Sequence, residues 1–300
     1  MPPLSSMIMM AEWFEIAAKV LAYGAAMVVV GVIGARWLLA RMTDPAFGVA
    51  ESGERLDAVF LSASIVFLTA VLFRAWTHTA TAFGIGDAFS VENLHLIALE
   101  SAWGAGWQQQ AAAAVLLVAA GVYQRRVAAP SARAVAATVA VISCFALART
   151  GHAASESFGW ALHGTHVLAA GLWVGTLVCV LLVTRERSAS PDVQFALARV
   201  HLLRAFAPLA AFSVALLAVA GCVAAWIYLG GVANLWHNEY GRVLAVKLTL
   251  VVGMGLLGGV NWFRLHRRGD QRPPRTVVLE AGLALLVVVA TSVLTETAHP

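Results

Sequence analysis

Histidine is the residue type whose placement in this sequence points most directly to chemistry. The chain has nine histidines, and His163 and His166 are three residues apart. In a helix they lie on one face, about one turn from each other. His152 lies a short way upstream and can fold back over that helix. Because neutral imidazole binds copper, zinc and iron, this trio predicts a site for a metal ion or a haem.

Methionines near the start of the chain make copper the favoured metal. Met7, Met9 and Met10 offer thioethers, which are ligands for Cu(I), and His78 lies at the outer end of an apolar run. Zinc would more often bring carboxylates or thiolates. Histidines helped by methionines are what a copper site in an oxidising compartment would use.

The elements that position these residues are long apolar runs. The sequence is 60% hydrophobic and only 12% charged, whereas soluble domains average about 25% charged residues. A helix that spans a bilayer needs about 20 mostly apolar residues. The sequence predicts an all-α polytopic membrane bundle, a single membrane domain over residues 1–300 with eight transmembrane helices. The predicted spans are 13–40, 56–80, 102–123, 133–150, 160–184, 203–230, 240–263 and 276–295.

Positive charge predicts how these spans are oriented. Of the 20 Lys and Arg residues, 15 lie in or beside every second joint, whereas the joints 81–101, 151–159 and 231–239 contain none. Lys and Arg in short loops mark the cytoplasmic side. Both termini are therefore predicted to lie outside, in the periplasm. Seven of the nine histidines fall on that side: His78, His95, His152, His163, His166, His237 and His299.

The remaining composition excludes several function classes. The positive net charge is explained by arginines that set orientation and touch anionic lipid, so the bilayer is a predicted partner and nucleic acid is not. The sequence brings no Ser, His and Asp together and has no phosphate-binding glycine loop. We therefore expect neither an enzyme nor an ATP-driven pump.

Polar, aromatic and sulfur-bearing side chains also lie inside the predicted spans, where polar groups are costly and usually face the bundle interior. Lys247 lies roughly 10 Å deep at about 1.5 Å per residue. We interpret it as part of a structural ion pair, with a polar lining to a path across the bundle as the alternative. The residues assigned to this path-or-structural group are Trp173, Lys247, Arg242, Cys144 and Cys222.

More specific expectations concern individual side chains. Glu15 and Lys19 are four residues apart and can pair on one helix face. Glu280, near the inner end of the last span, could pair with a loop arginine. Trp173 is seven residues beyond His166 and is predicted on the same face. The cysteines are interpreted as small buried hydrophobic residues, with contact to a soft metal as the alternative for the two in the outer half.

Three stretches of the chain combine these residues with recognisable motifs. They are 150–154 (TGHAA) with His166 and 172–175 (LWVG), 204–208 (RAFAP) with Gly221 and 225–226 (AW), and 240–247 (YGRVLAVK) with Asn261 and Arg264. In these stretches the chain resembles the copper resistance protein D family. The similarity covers the second half well, whereas the first half matches mainly in hydropathy.

The resemblance implies a bacterial inner-membrane protein that handles copper and moves it from the periplasm to the cytoplasm. It assigns His152 and His166 to the family's pattern and leaves His163 without a counterpart. Members often act beside a periplasmic copper carrier. Since we expect no fused carrier domain here, either a partner protein delivers the ion or the site collects it unaided.

Two alternatives stay open at this point. His78, His152 and His166 could instead be axial ligands of a b-type haem in an electron-transfer protein. A visible absorption spectrum of the purified protein separates this alternative from copper binding. The second alternative is a scaffold that helps to insert copper into another membrane complex without transporting it.

Overall fold

The computed structural model describes residues 4–42, 49–150, 158–185, 193–229, 234–266 and 276–297, with the side chains of 4–9, 49–51, 185 and 193–198 outside the description. Within these ranges the regular elements are helical and there is no strand. This confirms the predicted all-α class. Because a helix satisfies its own backbone hydrogen bonds, it is the form in which long apolar runs can cross lipid.

Eleven α-helices follow one another in the described ranges. They are α1 Leu4–Leu39, α2 Val49–Phe83, α3 Val91–His95, α4 Ala102–Arg126, α5 Pro130–Leu147, α6 Gly159–Ala170, α7 Thr176–Arg185, α8 Val193–Leu229, α9 Asn234–His237, α10 Glu239–His266 and α11 Thr276–Leu294. A π-helical turn, Gly171–Gly175, joins α6 to α7 and makes them one rod.

Among the described residues, seven helical segments are long and apolar enough to cross a membrane. They correspond to α1, α2, α5, the α6–α7 rod, α8, α10 and α11. The remaining predicted span is α4, a helix of 25 residues in which Gln108, Gln109 and Gln110 lower the hydropathy. The protein is therefore a multi-pass membrane protein, while the number eight and the periplasmic termini stay predictions.

Contacts between helix ends agree with the predicted antiparallel order. Arg36, near the end of α1, forms an ion pair with Asp57, near the start of α2. Its Nη1 also donates to Oε1 of Gln124, near the end of α4, at 2.9 Å. By the predicted span bounds, all three residues lie in or beside the arginine-rich joints. We call this the inner end of the bundle and the opposite end the outer end.

Helix α1 is the central element of the bundle, in contact with α2, α5, α7, α11 and the π turn. Its approach to the π turn is so close that only glycine fits. A β-carbon on Gly175 would lie 1.8 Å from the carbonyl oxygen of Met27, and one on Gly31 would lie 2.1 Å from the carbonyl carbon of Gly175. Small residues permit such backbone contact between membrane helices. The contact fixes the α6–α7 rod, which carries the histidine pair, against α1.

Candidate functional site

The two histidines of α6 lie between three helices in the outer half of the bundle. Both are half-buried. The Nε2 atom of His163 is 2.9 Å from the hydroxyl oxygen of Tyr23 on α1, and the two rings meet edge to face at 5.7 Å. The Cε1 atom of His166 lies 3.8 Å from where a β-carbon of Gly221 on α8 would be. The pair is thus on one helix, as predicted, with His163 directed to α1 and His166 to α8.

A lysine from a fourth helix lies near this pair. Lys247 on α10 is close enough that its charge acts on the imidazoles of both His163 and His166. Within the described ranges no ion pair involves Lys247, so the preferred interpretation of it as half of a structural pair finds no support there. A nearby ammonium lowers the affinity of the site for a cation, because like charges repel.

A buried polar network joins α1, α2 and α4 to Thr150, which lies just after the end of α5. Arg74 on α2 forms an ion pair with Glu15 on α1, with 3.1 Å between Nη2 and Oε1. Its Nη1 donates to Oε1 of Gln110 at 3.0 Å and to Oγ1 of Thr150 at 3.2 Å. The hydroxyl of Thr77 donates to Oε2 of Glu15. Both charges are therefore paired and hydrogen-bonded, as burial requires.

Lys19 extends the polar cluster towards the end of the chain. Its Nζ forms an ion pair with Glu296 and donates to Oγ1 of Thr295 at 3.3 Å. The expectation that Glu15 and Lys19 pair with each other is therefore wrong as a description of the direct contacts. Glu15 instead pairs with Arg74 on α2, and Lys19 pairs with the turn that follows α11, because α1 is central and has partners on both sides.

His78 has a different set of neighbours from the histidine pair. Its ring stacks on that of Trp103 on α4, with centroids 4.1 Å apart and an interplanar angle of 11°. Arg74 lies over the same indole, with 5.8 Å between the guanidinium carbon and the ring centroid. The described residues include no group of three or more His, Cys, Asp and Glu side chains that could hold a metal ion. They do not join His78 to His163 and His166 as ligands of one ion.

Three of the predicted ligand side chains lie outside the description. His152 lies outside the described residues, as do the side chains of Met7 and Met9, while Met10 is 47% exposed. Whether His152 completes a site with His163 and His166 stays a prediction. The haem alternative, which uses His78, His152 and His166, likewise stays a prediction.

The path-or-structural residues fall into two groups. Cys144 is buried in α5 and Arg242 is exposed on α10, and their assignment to a path or a structural role stays a prediction. Cys222 is exposed on α8, directly after the glycine that faces His166. Trp173 is buried and lies in the π turn, on the side that faces α8, as His166 does.

Two models of known families match this chain. The model of the copper resistance protein D-like N-terminal domain matches residues 10–163, more than half of the sequence, and the model of copper resistance protein D matches residues 200–294. This chain belongs to the copper resistance protein D family. The resemblance seen in the sequence is confirmed, but the expectation that the first half matches mainly in hydropathy is wrong.

A comparison with individual proteins agrees with this assignment. The chain is 28% identical over 158 residues to the copper transport protein CutJ of Bacillus subtilis (strain 168), which covers 52% of this chain and 29% of CutJ. The chain thus spans less than a third of the length of that relative. No solved structure matches this copper resistance D protein.

The N-terminal family match ends at the histidine pair, and a segment of 36 residues, 164–199, separates it from the C-terminal match. The N-terminal match contains Tyr23 and ends at His163, and the C-terminal match contains Lys247. His166 and Trp173 lie in the segment between the matches. The site is therefore assembled from both matched regions and the rod that connects them.

Sequence reasoning missed two features of this site. Tyr23 was not identified as a partner of His163, although a tyrosine inside a membrane span is a signal because its hydroxyl needs a hydrogen-bond partner when buried. The ion pair between Glu15 and Arg74 was missed because nothing in one sequence tells which helices are neighbours.

Proposed function

We propose that this copper resistance D protein binds copper at the outer face of a bacterial inner membrane and passes it towards the cytoplasm. The observation that carries the proposal is the pair of half-buried imidazoles, His163 and His166, in a protein whose family is named for copper resistance. Imidazole is a good ligand for copper, and a bacterial membrane protein with outward histidines meets copper in the periplasm.

The proposed capture step uses the histidine pair together with His152 and the methionines near the start. A periplasmic copper carrier delivers the ion, and the imidazoles take it in their neutral form. Protonation competes with metal binding, so capture weakens as the pH falls and the imidazoles become protonated. His163 exchanges its hydrogen bond with Tyr23 for a bond to the metal, which limits the affinity of the site.

The proposed passage step depends on binding that is not too tight. An ion must be held firmly enough to enter and weakly enough to leave. The positive charge of Lys247 near both imidazoles supports a site of this kind. From there the ion moves between the α6–α7 rod, α8 and α10. The protein thus binds and conducts an ion and carries out no catalysis.

Copper uptake into right-side-out membrane vesicles tests this function. We expect the double variant His163→Ala and His166→Ala to lower the initial rate of uptake at least about tenfold, because both imidazole ligands are lost. His95→Ala is the matched control, since His95 is an exposed histidine outside the spans that pairs with Glu100. Uptake by the double variant at the control rate would contradict the proposed site.

A further inference from the structure

The inner half of the bundle contains a cavity that the histidine pair does not line. It has a volume of about 240 Å³ and lies between the α6–α7 rod, α8, α10 and α11. We call it the inner cavity. Most of its wall is apolar, and its polar wall residues include Glu280 and Asn261, with Trp173 on the side of the rod. The wall also includes the imidazole of His266, which is exposed at the end of α10, so the cavity has one carboxylate, one amide and one imidazole in otherwise apolar surroundings.

A chain of hydrogen bonds fixes the carboxylate of Glu280. The hydroxyl of Thr276 donates to Oδ1 of Asn261, and Nδ2 of Asn261 donates to Oε2 of Glu280 at 2.9 Å. Because the amide oxygen is held by Thr276, the amide nitrogen is turned towards the carboxylate. Glu280 is only 5% exposed and also interacts with the side chain of Trp173. The side chain is thus held in one orientation from two sides.

The second carboxylate oxygen lies beside a glycine of the cavity wall. A β-carbon on Gly258 would be 3.3 Å from Oε1 of Glu280, and both residues line the inner cavity. The glycine leaves space next to this oxygen that a larger residue would fill. The inner cavity as a whole, at about 240 Å³, is large enough for an ion that keeps several waters, since one water occupies about 30 Å³ in the liquid.

The charge balance at Glu280 differs from that of the other buried carboxylate. Glu15 has Arg74, whereas in the described part of the chain Glu280 is in no ion pair. The loop arginines with which it was expected to pair, 267–275, lie outside the description. An ionised carboxylate inside a membrane span is costly, and such groups are candidates for ion pathways. A cation in the inner cavity would offset that cost.

The position of the inner cavity relative to the histidine pair is the final observation. Trp173 is seven residues beyond His166, about 10 Å further along the rod, and both face α8. Trp173 also touches Glu280. Its indole thus lies between the histidine pair and the carboxylate.

We propose that Glu280, positioned by Asn261, is a second copper site on the inner side of Trp173. The inference rests on the proposed function, because the ion reaches this site from the histidine pair. Its ligands are carboxylate oxygen, amide and water, which suit copper less well than imidazole. The inner site therefore binds more weakly than the outer one and releases the ion towards the cytoplasm.

The test uses the full chain in detergent with Cu(II) as the probe. Electron paramagnetic resonance distinguishes copper with imidazole nitrogen ligands from copper with oxygen ligands alone. We expect both forms in the unchanged protein and loss of the oxygen-ligated form in Glu280→Gln, with the nitrogen-ligated form retained. Glu54→Gln is the matched control, because Glu54 is an exposed carboxylate near the inner end of α2. It should keep both forms.

Gly258→Ala provides a second variant in case Glu280→Gln folds poorly. It keeps the charge and adds one methyl group beside Oε1, so we expect the oxygen-ligated form to bind about threefold more weakly. Oxygen-ligated copper at full occupancy in both variants would overturn the inner site.

Uptake into vesicles separates this inference from the proposed function. If Glu280→Gln takes up copper normally while the histidine double variant does not, the inner site is wrong and the function stands. If the unchanged protein takes up no copper but Glu280→Gln still loses the oxygen-ligated form, the transport function is wrong and the site stands.

Discussion

The two regions matched by the family models differ in whether the charged side chains inside the membrane form ion pairs. In the N-terminal region, residues 10–163, buried and half-buried charges are paired, as in Glu15 with Arg74 and Arg36 with Asp57. In the C-terminal region, residues 200–294, neither Lys247 nor Glu280 is in an ion pair within the described ranges. Packing differs as well. In the most apolar part of α1, 61% of the residues are buried, against 11% in α8 and in α10.

This difference assigns different roles to the two regions. A paired and hydrogen-bonded charge stabilises one arrangement of helices, since removing either partner leaves the other buried alone. A charge with no partner costs free energy and is retained where an ion or proton passes. If the proposed function holds, the N-terminal region is the rigid frame, and the path runs along the C-terminal helices and the α6–α7 rod.

The largest expected effect is the loss of folding stability when the ion pair between Glu15 and Arg74 is removed. Arg74→Met leaves Glu15 buried without its partner and removes the donor to Gln110 and Thr150. Removal of one partner of a buried pair costs about 3–5 kcal/mol of folding free energy. Thermal unfolding in detergent measures the loss. Arg242→Met, an exposed arginine on α10, is the control and should change stability little.

A double variant sharpens this prediction. Glu15→Gln combined with Arg74→Met removes the uncompensated charge, so it should be more stable than Arg74→Met alone. Equal stability of the two would mean that the pair does not stabilise the frame.

The next largest expected effect is a loss of folding stability from overpacking. It should occur where α1 meets the rod and not at an open position on α10. Gly175→Ala places a methyl group 1.8 Å from the carbonyl oxygen of Met27, so α1 and the rod must move apart. Overpacking of this kind costs roughly 1–3 kcal/mol. Gly253→Ala on α10 is the matched control, because a β-carbon there has nothing within 4 Å. Similar unfolding temperatures for the two variants would argue against a frame centred on α1.

The smallest expected effect is a change in copper affinity: removing the charge of Lys247 should strengthen copper binding. Lys247→Met takes away a positive charge that acts on both imidazoles, so copper should bind more tightly. An effect of about 1 kcal/mol corresponds to about fivefold in the dissociation constant. Lys247→Arg keeps the charge and should bind copper as the unchanged protein does. Equilibrium dialysis with copper compares the three proteins, and tightening in both variants would show that charge is not the cause.

Much of this fold could be predicted from the sequence, because the bilayer imposes simple rules. Run length predicted the helices, and the antiparallel order of successive spans agrees with the contact of Arg36 with Asp57 and Gln124. The π turn was not predicted, because 171–175 continues the same apolar pattern as its flanks. It depends on the approach of α1 to Gly175, which is a tertiary contact.

The site was only partly predictable for a related reason. Spacing alone put His163 and His166 on one face, since that is a property of a single helix. The partners of these residues come from other helices. Tyr23 is 140 residues away from His163 in sequence, and Asn261, which donates to Glu280, is on a different helix from it. One sequence contains no signal for such pairs.

X-ray absorption spectroscopy of the copper-loaded protein tests the central claim most directly, namely that the imidazoles of His163 and His166 hold copper at the outer end of the bundle. We predict scattering typical of imidazole ligands in the unchanged protein and in His95→Ala. The same scattering should be lost in the double variant His163→Ala and His166→Ala. An unchanged imidazole signal in that double variant would contradict the account.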